Sequence, residues 1–139
     1  MAPADAQAII RTASCRCGQL QARCSGEPVR ISVCHCLACQ RRSGSAFATQ
    51  ARWPDAQVEI TGRHRDYVQA GDSGTRATFR FCPDCGATLC FRSDGVPGMT
   101  MVAVGAFADP AFPPPTVSVY EERRHPWVAI TGDAVEHYD

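Results

Sequence analysis

Three thiols fall within six residues at Cys34-His35-Cys36-Leu37-Ala38-Cys39, and two further clusters flank them: Cys15-Arg16-Cys17-Gly18 upstream and Cys82-Pro83-Asp84-Cys85-Gly86 downstream. Thiolates crowded in this way suit a soft or borderline cation, above all zinc. In an extended strand, residues two apart point to the same side. Cys15 with Cys17, and Cys34 with Cys36, can therefore each offer two sulfurs to one ion, and the same rule aims His35 away from it. Cys82-x-x-Cys85 needs a tight turn instead. Pro83 and Gly86 favour one, and its backbone N–H groups can donate to the sulfurs.

The spacing favours one division of these thiols without forcing it. Cys15, Cys17, Cys82 and Cys85 would close a four-thiolate structural site that ties the first strand to the middle of the chain. Cys34, Cys36 and Cys39 would then hold a second zinc with a fourth place open to water or substrate, as catalytic zinc requires. The rival division joins Cys36 and Cys39 to Cys82 and Cys85 as one ribbon-like site. It leaves Cys15, Cys17 and Cys34 unused, and its central gap is far longer than the usual ~15–20 residues.

Other residues near these clusters have two readings each. Arg41 and Arg42 follow the central thiols and can offset their charge or hold a substrate carboxylate, or they are simply solvated. His35 is expected on the opposite face in a hydrogen bond, with a ligand or proton-transfer role as the alternative. Cys24 shares a face with Leu20 and Ala22 and reads as core, whereas Cys90 is a buried filler or a reserve fourth ligand. Arg123, Arg124 and Trp127 either line a pocket or are surface charge beside a core tryptophan.

Short strand patterns surround the thiols. Ser14 to Cys24 reads as a strand or hairpin arm, and Ser25-Gly26-Glu27-Pro28 as a turn. Val29, Ile31 and Val33 alternate into Cys34. Residues 37–43 fit a short helix closed by Gly44 in the left-handed conformation. Ser45 to Trp53, Gln57 to Thr61, Arg65 to Ala70, Thr75 to Phe81, Thr88 to Arg92 and Met99 to Val104 follow as extended segments. Ala108 to Pro115 is proline-rich and cannot lie inside a sheet, because proline lacks the ladder N–H. Val117 to Tyr120 and Trp127 to Ile130 read as a last pair of strands. No internal repeat and no long amphipathic helix is visible, which indicates a mainly β, single-domain fold.

Composition narrows the function classes. The chain has 139 residues, and Lys+Arg and Asp+Glu both number 14. A formal net charge of zero argues against general nucleic-acid or membrane-surface binding, which needs a basic excess. No apolar run approaches the roughly 20 residues of a membrane span. Met1 to Ala13 lacks the features of a secretory signal and reads as a loose arm (1–13) before the domain (14–139). Nine cysteines is an odd count, which suits metal ligation in a reducing cytoplasm better than a disulfide framework.

Taken together, Cys-x-Cys-Gly, Cys-His-Cys-x-x-Cys-x-Arg with Ser43-Gly44-Ser45, and Phe81-Cys82-Pro83-x-Cys85-Gly86 resemble the family of the glutathione-dependent formaldehyde-activating enzyme and centromere protein V. The likeness runs from about Ser14 to Ile130 and includes Arg123-Arg124-His125-Pro126-Trp127. The resemblance implies a zinc-stapled, tent-like β fold with two zinc ions per chain. One would be structural, on Cys15, Cys17, Cys82 and Cys85, and the second would lie at Cys34, Cys36 and Cys39. It implies a carbon–sulfur lyase forming S-hydroxymethylglutathione reversibly from glutathione and formaldehyde. Ser118 stands where many members carry a histidine, and the basic extension of the centromere relatives is absent. The other reading keeps both zincs as staples in a non-catalytic protein-binding module of the same fold.

Overall fold

The computed structural model describes residues 9–71 and 74–139. Eleven strands and one α-helix lie in these residues: β1 Ile10–Ser14, β2 Gln21–Ser25, β3 Arg30–Cys34, α1 Leu37–Ser43, β4 Ala48–Pro54, β5 Val58–Thr61, β6 Arg65–Ala70, β7 Arg76–Phe81, β8 Thr88–Ser93, β9 Met99–Ala103, β10 Val117–Val119 and β11 Glu136–His137. They form two sheets. The smaller has the order β1-β2-β5, and the larger runs β11-β10-β3-β4-β9-β8-β7-β6. Both contacts of β10, with β3 and with β11, are parallel, and the other pairings are antiparallel. The mainly β single domain expected from the sequence is the fold observed.

Alternation along the strands decides which face is core. Ala22 and Cys24 of β2 meet Ala51 and Trp53 of β4 and Val102 of β9, all buried between the sheets. Trp53 is the largest fully buried side chain, and its indole N–H donates to the Gly26 carbonyl at 2.9 Å, so burial leaves no polar atom unpaired. Phe107 lies 5.7 Å from Trp53 and stacks on Phe112 at 4.7 Å. The proline-rich connection thus lends Phe112 to the core as well as crossing the surface.

Two expectations are corrected. Residues 1–8 of the proposed N-terminal arm lie outside the described residues, but Ile10 to Ala13 are not loose: they pair along β2. Ala13 is fully buried, and Arg11 ion-pairs with Glu27 at 3.0 Å while its guanidinium covers the Phe112 ring. These tertiary contacts make a strand of a sequence with weak alternation of its own. Trp127 to Ile130 is not a strand. The Val128 N–H turns back to the His125 carbonyl at 3.0 Å, and the Arg124 guanidinium takes the Val128 carbonyl, so the ladder groups are used locally. β11 occupies the place beside β10 instead. Nor is Trp127 a core residue, since it is 74% exposed.

Candidate metal centres and active site

The thiols gather as two sets, each with all its sulfurs within 4.8 Å of one another: Cys15, Cys17, Cys82 and Cys85, and separately Cys34, Cys36 and Cys39. The ribbon-like alternative, with Cys36 and Cys39 joined to Cys82 and Cys85, does not form. In the first set the loop after β1 and the turn after β7 converge. Cys15 Sγ stands 3.6 Å from Cys17 Sγ, which stands 3.7 Å from Cys82 Sγ. A tetrahedral ion with Zn–S bonds of about 2.3 Å separates its sulfurs by about 3.8 Å, so this donor set fits zinc. Donors turn inward to the sulfurs. The Leu20 N–H reaches Cys15 Sγ at 3.3 Å, the Asp84 N–H reaches Cys82 Sγ at 3.4 Å, and the Gln19 amide reaches the same sulfur at 3.0 Å. Burial pushes the Cys82 thiol up, but these donors and its cysteine neighbours outweigh burial and hold it at about 6. Cys17 by contrast is pushed up to about 11: the Gln19 backbone donor lowers it, but Cys15, burial, Cys82 and Cys85 outweigh that donor, so thiolate is favoured at Cys82 and not at Cys17.

The second set is built by the end of β3 and the start of α1. Cys36 is the residue that caps the helix: its sulfur accepts the Cys39 N–H at 3.3 Å, doing the work usually done by a Ser or Asp oxygen. One short turn thereby aims Cys36 and Cys39 at Cys34. Gly44 closes the helix at φ 67°, as the sequence suggests, and its N–H returns to the Gln40 carbonyl at 2.9 Å. The hydrogen bond between Cys34 and Cys39 raises the Cys34 thiol well above its ordinary value and draws Cys39 down to about 6, with Cys36 and Arg42 adding to the lowering. Among the described residues no further Cys, His, Asp or Glu joins these three.

The residues with two readings now have places. His35 is fully buried on the far side of the strand, with Nε2 2.9 Å from Ser118 Oγ, so it is bonded to β10 and is not in the thiol set. Burial lowers its pKa and keeps the ring neutral. Cys24 and Cys90 are both core residues, and Cys90 is not a fourth ligand. Arg41 is exposed. Arg42 turns inward: its charge lowers the Cys39 thiol, and its guanidinium sits 4.6 Å from the Phe79 ring centroid and 5.6 Å from that of Phe91. The two rings are themselves 4.7 Å apart. Arg41 and Arg42 both line an open outer cavity of ≈ 980 Å³ that Arg123 also reaches.

An inner cavity of ≈ 370 Å³ opens directly on Cys34 and Cys39. Its wall is the face of the large sheet opposite the core. Ser32 and Cys34 come from β3, Gln50 and Arg52 from β4, Phe91 from β8 and Phe79 from β7. Tyr120 joins them just after β10, held in the left-handed region at φ 57°. A non-glycine residue there costs roughly 1–2 kcal/mol, a strain of the kind that collects at functional sites. Sequence reasoning did not pick out Gln50, Arg52, Tyr120 or Gln40. For Gln50 and Arg52 the signal was present but ambiguous. They alternate with Ala51 and Trp53, which reads as a solvent-facing side of a half-buried strand.

A family model described as glutathione-dependent formaldehyde-activating enzyme matches residues 10–123. The chain belongs to this family. The likeness stated from the cysteine motifs is thus the family that residues 10–123 match. Among solved structures, a Rhodobacter sphaeroides protein is similar at TM-score 0.56 and 21% identity, over 74% of this chain and 91% of that one. That similarity supports the fold alone. A search of curated proteins finds no match.

Proposed function

We propose that the protein is a zinc-dependent carbon–sulfur lyase that adds a thiol such as glutathione reversibly to an aldehyde such as formaldehyde, giving S-hydroxymethylglutathione. One observation carries this reading: the three thiols of Cys34, Cys36 and Cys39 stand together without a fourth side-chain ligand among the described residues, and two of them, Cys34 and Cys39, line a cavity sized for a small ligand. Family membership supports the reaction class. Cys15, Cys17, Cys82 and Cys85 would hold a second, closed zinc that staples the fold. Cys34, Cys36 and Cys39 would hold the other zinc, which would supply Lewis acidity and lower the pKa of a bound thiol.

The chain's own residues do the rest. Cys34 and Cys36 are fixed by the β3 ladder and by the helix cap, so little reorganisation accompanies substrate entry. Arg42, seated over the Phe79 ring, offsets the negative charge of the thiolates. In the reaction the thiol gives up its proton, its sulfur lone pair forms the new S–C bond, and the carbonyl oxygen takes a proton to become hydroxyl. No oxidation or reduction occurs, so no redox partner is needed. Reduced thiols of this kind suit the cytoplasm, where we place the protein. Among the described residues no helix is long and apolar enough to cross a membrane.

Two-dimensional exchange NMR on formaldehyde and glutathione, with protein carrying two zinc ions per chain, tests the reading. Exchange between free and adduct forms should quicken in proportion to protein. Exchange at the uncatalysed rate would refute the proposed reaction.

A further inference from the structure

The far end of the inner cavity carries a positive charge that no acidic side chain among the described residues pairs with. Arg52 lines the cavity with Gln50, Ser32, Cys34 and Cys39. Among the described residues no Asp or Glu pairs with Arg52. Its cross-strand partner is another cation, Arg30, whose Nε is buried without a hydrogen-bond partner. Like charges set opposite each other on neighbouring strands are destabilising. Beside them, Gln50 has a buried side-chain oxygen with no partner. Partial burial, with Arg30 adding to it, makes the charged form of Arg52 less favourable than in water. An unpaired arginine and an unsatisfied amide in one cavity make a site for an anion that also offers a hydrogen-bond donor.

Register gives the distance between this site and the thiols. On β3 and β4, Cys34 stands opposite Ala48, Ser32 opposite Gln50 and Arg30 opposite Arg52. Four residues of strand separate the Cys34 level from the Arg52 level, about 13 Å at about 3.3 Å per residue. An extended tripeptide spans about 10–11 Å end to end, and with its thiol on the central residue the reach from sulfur to either carboxylate is shorter, so the length of the Arg52 side chain has to cover the remainder. Formaldehyde carries no charge and cannot use this site, so the group that fits it belongs to the thiol.

We propose that Arg52 and Gln50 form a specificity subsite for a peptidic thiol, with Arg52 receiving a carboxylate and Gln50 a neighbouring N–H, while the sulfur end lies at Cys34, Cys36 and Cys39. This rests on the proposed thiol–aldehyde reaction for its sulfur end and assigns the recognition of the thiol to β4. Arg41 and Arg42, beside the thiols in sequence, are then free of that task.

Binding can be read without turnover. Calorimetric titration of the zinc-loaded protein with S-methylglutathione, which has no thiol to react, should show saturable binding. Its diethyl ester should bind at least about 10-fold more weakly, as loss of a charge-assisted hydrogen bond implies. Arg52→Met should reduce binding of the diacid by a similar factor and leave the ester unchanged, with Arg52→Lys in between because it lacks the planar fork. Gln50→Leu should weaken both ligands by a few-fold. Equal binding of diacid and ester by the unaltered protein, no binding of either, or an Arg52→Met variant that binds as the parent does would each overturn the subsite. The exchange assay separates this from the reaction. Discriminating binding without acceleration overturns the proposed reaction and supports the subsite. Acceleration equal for glutathione and its diester does the reverse.

Discussion

His35 Nε2 stands 2.9 Å from Ser118 Oγ, and both side chains are fully buried. This bond ties β10 to the peptide that lies between two cysteines of the open thiol set. The other ring nitrogen, Nδ1, is buried without a partner, so Ser118 gives the imidazole its one hydrogen bond. β10 is also joined to β3 by backbone, Val117 to Val119 running parallel to Ser32 to Cys34, and the His35 N–H reaches the Val119 carbonyl at 3.1 Å. Ser118→Ala would leave the whole imidazole unsatisfied. The cost is about 1–3 kcal/mol, seen as a lower urea midpoint with an unchanged slope. Cys34 and Cys36 would lose part of their bracing, so the same variant should also release zinc from one site more readily in a chelator competition.

The two thiol sets should differ in what their loss does. Cys82 is fully buried and joins elements distant in sequence, and metal binding at such a site is folding free energy. Cys36 caps a short helix between Cys34 and Cys39, which line the inner cavity. Cys82→Ser should therefore unfold the chain or lower its melting temperature sharply in circular dichroism. Cys36→Ser should stay folded, lose exchange activity and bind close to one zinc per chain. Equal melting losses for the two variants would contradict the assigned division between staple and open site.

Gln40 clamps the thiol-bearing helix to the C-terminal part of the chain. Its amide nitrogen donates to the His35 carbonyl at 2.8 Å and to the Arg123 carbonyl at 3.0 Å, and its oxygen lies 2.8 Å from His125 Nε2. Gln40→Leu removes all three bonds and leaves two carbonyls and a ring nitrogen behind. We expect a stability loss of about 1–3 kcal/mol and a fall in kcat larger than any rise in KM, because α1 positions Cys39 and not the remote end of the substrate. Denaturant titration and saturation kinetics of adduct exchange check the two parts separately.

Several strands were legible because their residues alternate, as in β2 and β5, and a Gly or Pro stands close by, and the two thiol sets were legible because their spacing matches strand and turn geometry. What the sequence concealed is the second use of an alternating pattern. Gln50 and Arg52 look like the wet side of a strand whose other side carries Ala51 and Trp53. They line a cavity only because β7 and β8 bring Phe79 and Phe91 onto the same face, a pairing set by register far away in the chain. The Gln40 clamp and the His35–Ser118 bond were hidden for the same reason, each joining residues more than 80 positions apart. Ile10 to Ala13 became a strand through Glu27 and Phe112, neither of which is nearby in sequence.

Arg41 and Arg42, adjacent in sequence and equivalent in composition, should separate cleanly by mutation. Arg41 is exposed at the end of α1, and substituting a residue there usually changes stability by less than about 0.5 kcal/mol. Arg42 helps draw the Cys39 thiol down and lies over the Phe79 ring, with its Nε buried and without a hydrogen-bond partner. Its role depends on a planar, delocalised cation that can stack and donate at once. Arg42→Met keeps much of the packing and removes the charge; Arg42→Lys keeps the charge and removes the plane. If charge alone matters, lysine restores activity. The position of the guanidinium over the rings predicts that it does not, and that both variants lose about 10-fold or more in exchange rate, the scale of one lost desolvated cation–π contact. Arg41→Ala should remain within about two-fold of the parent, the effect of an ordinary surface change. Rates measured for the three variants at matched zinc content decide it: a lysine variant as active as the parent would show that the ring contacts are incidental.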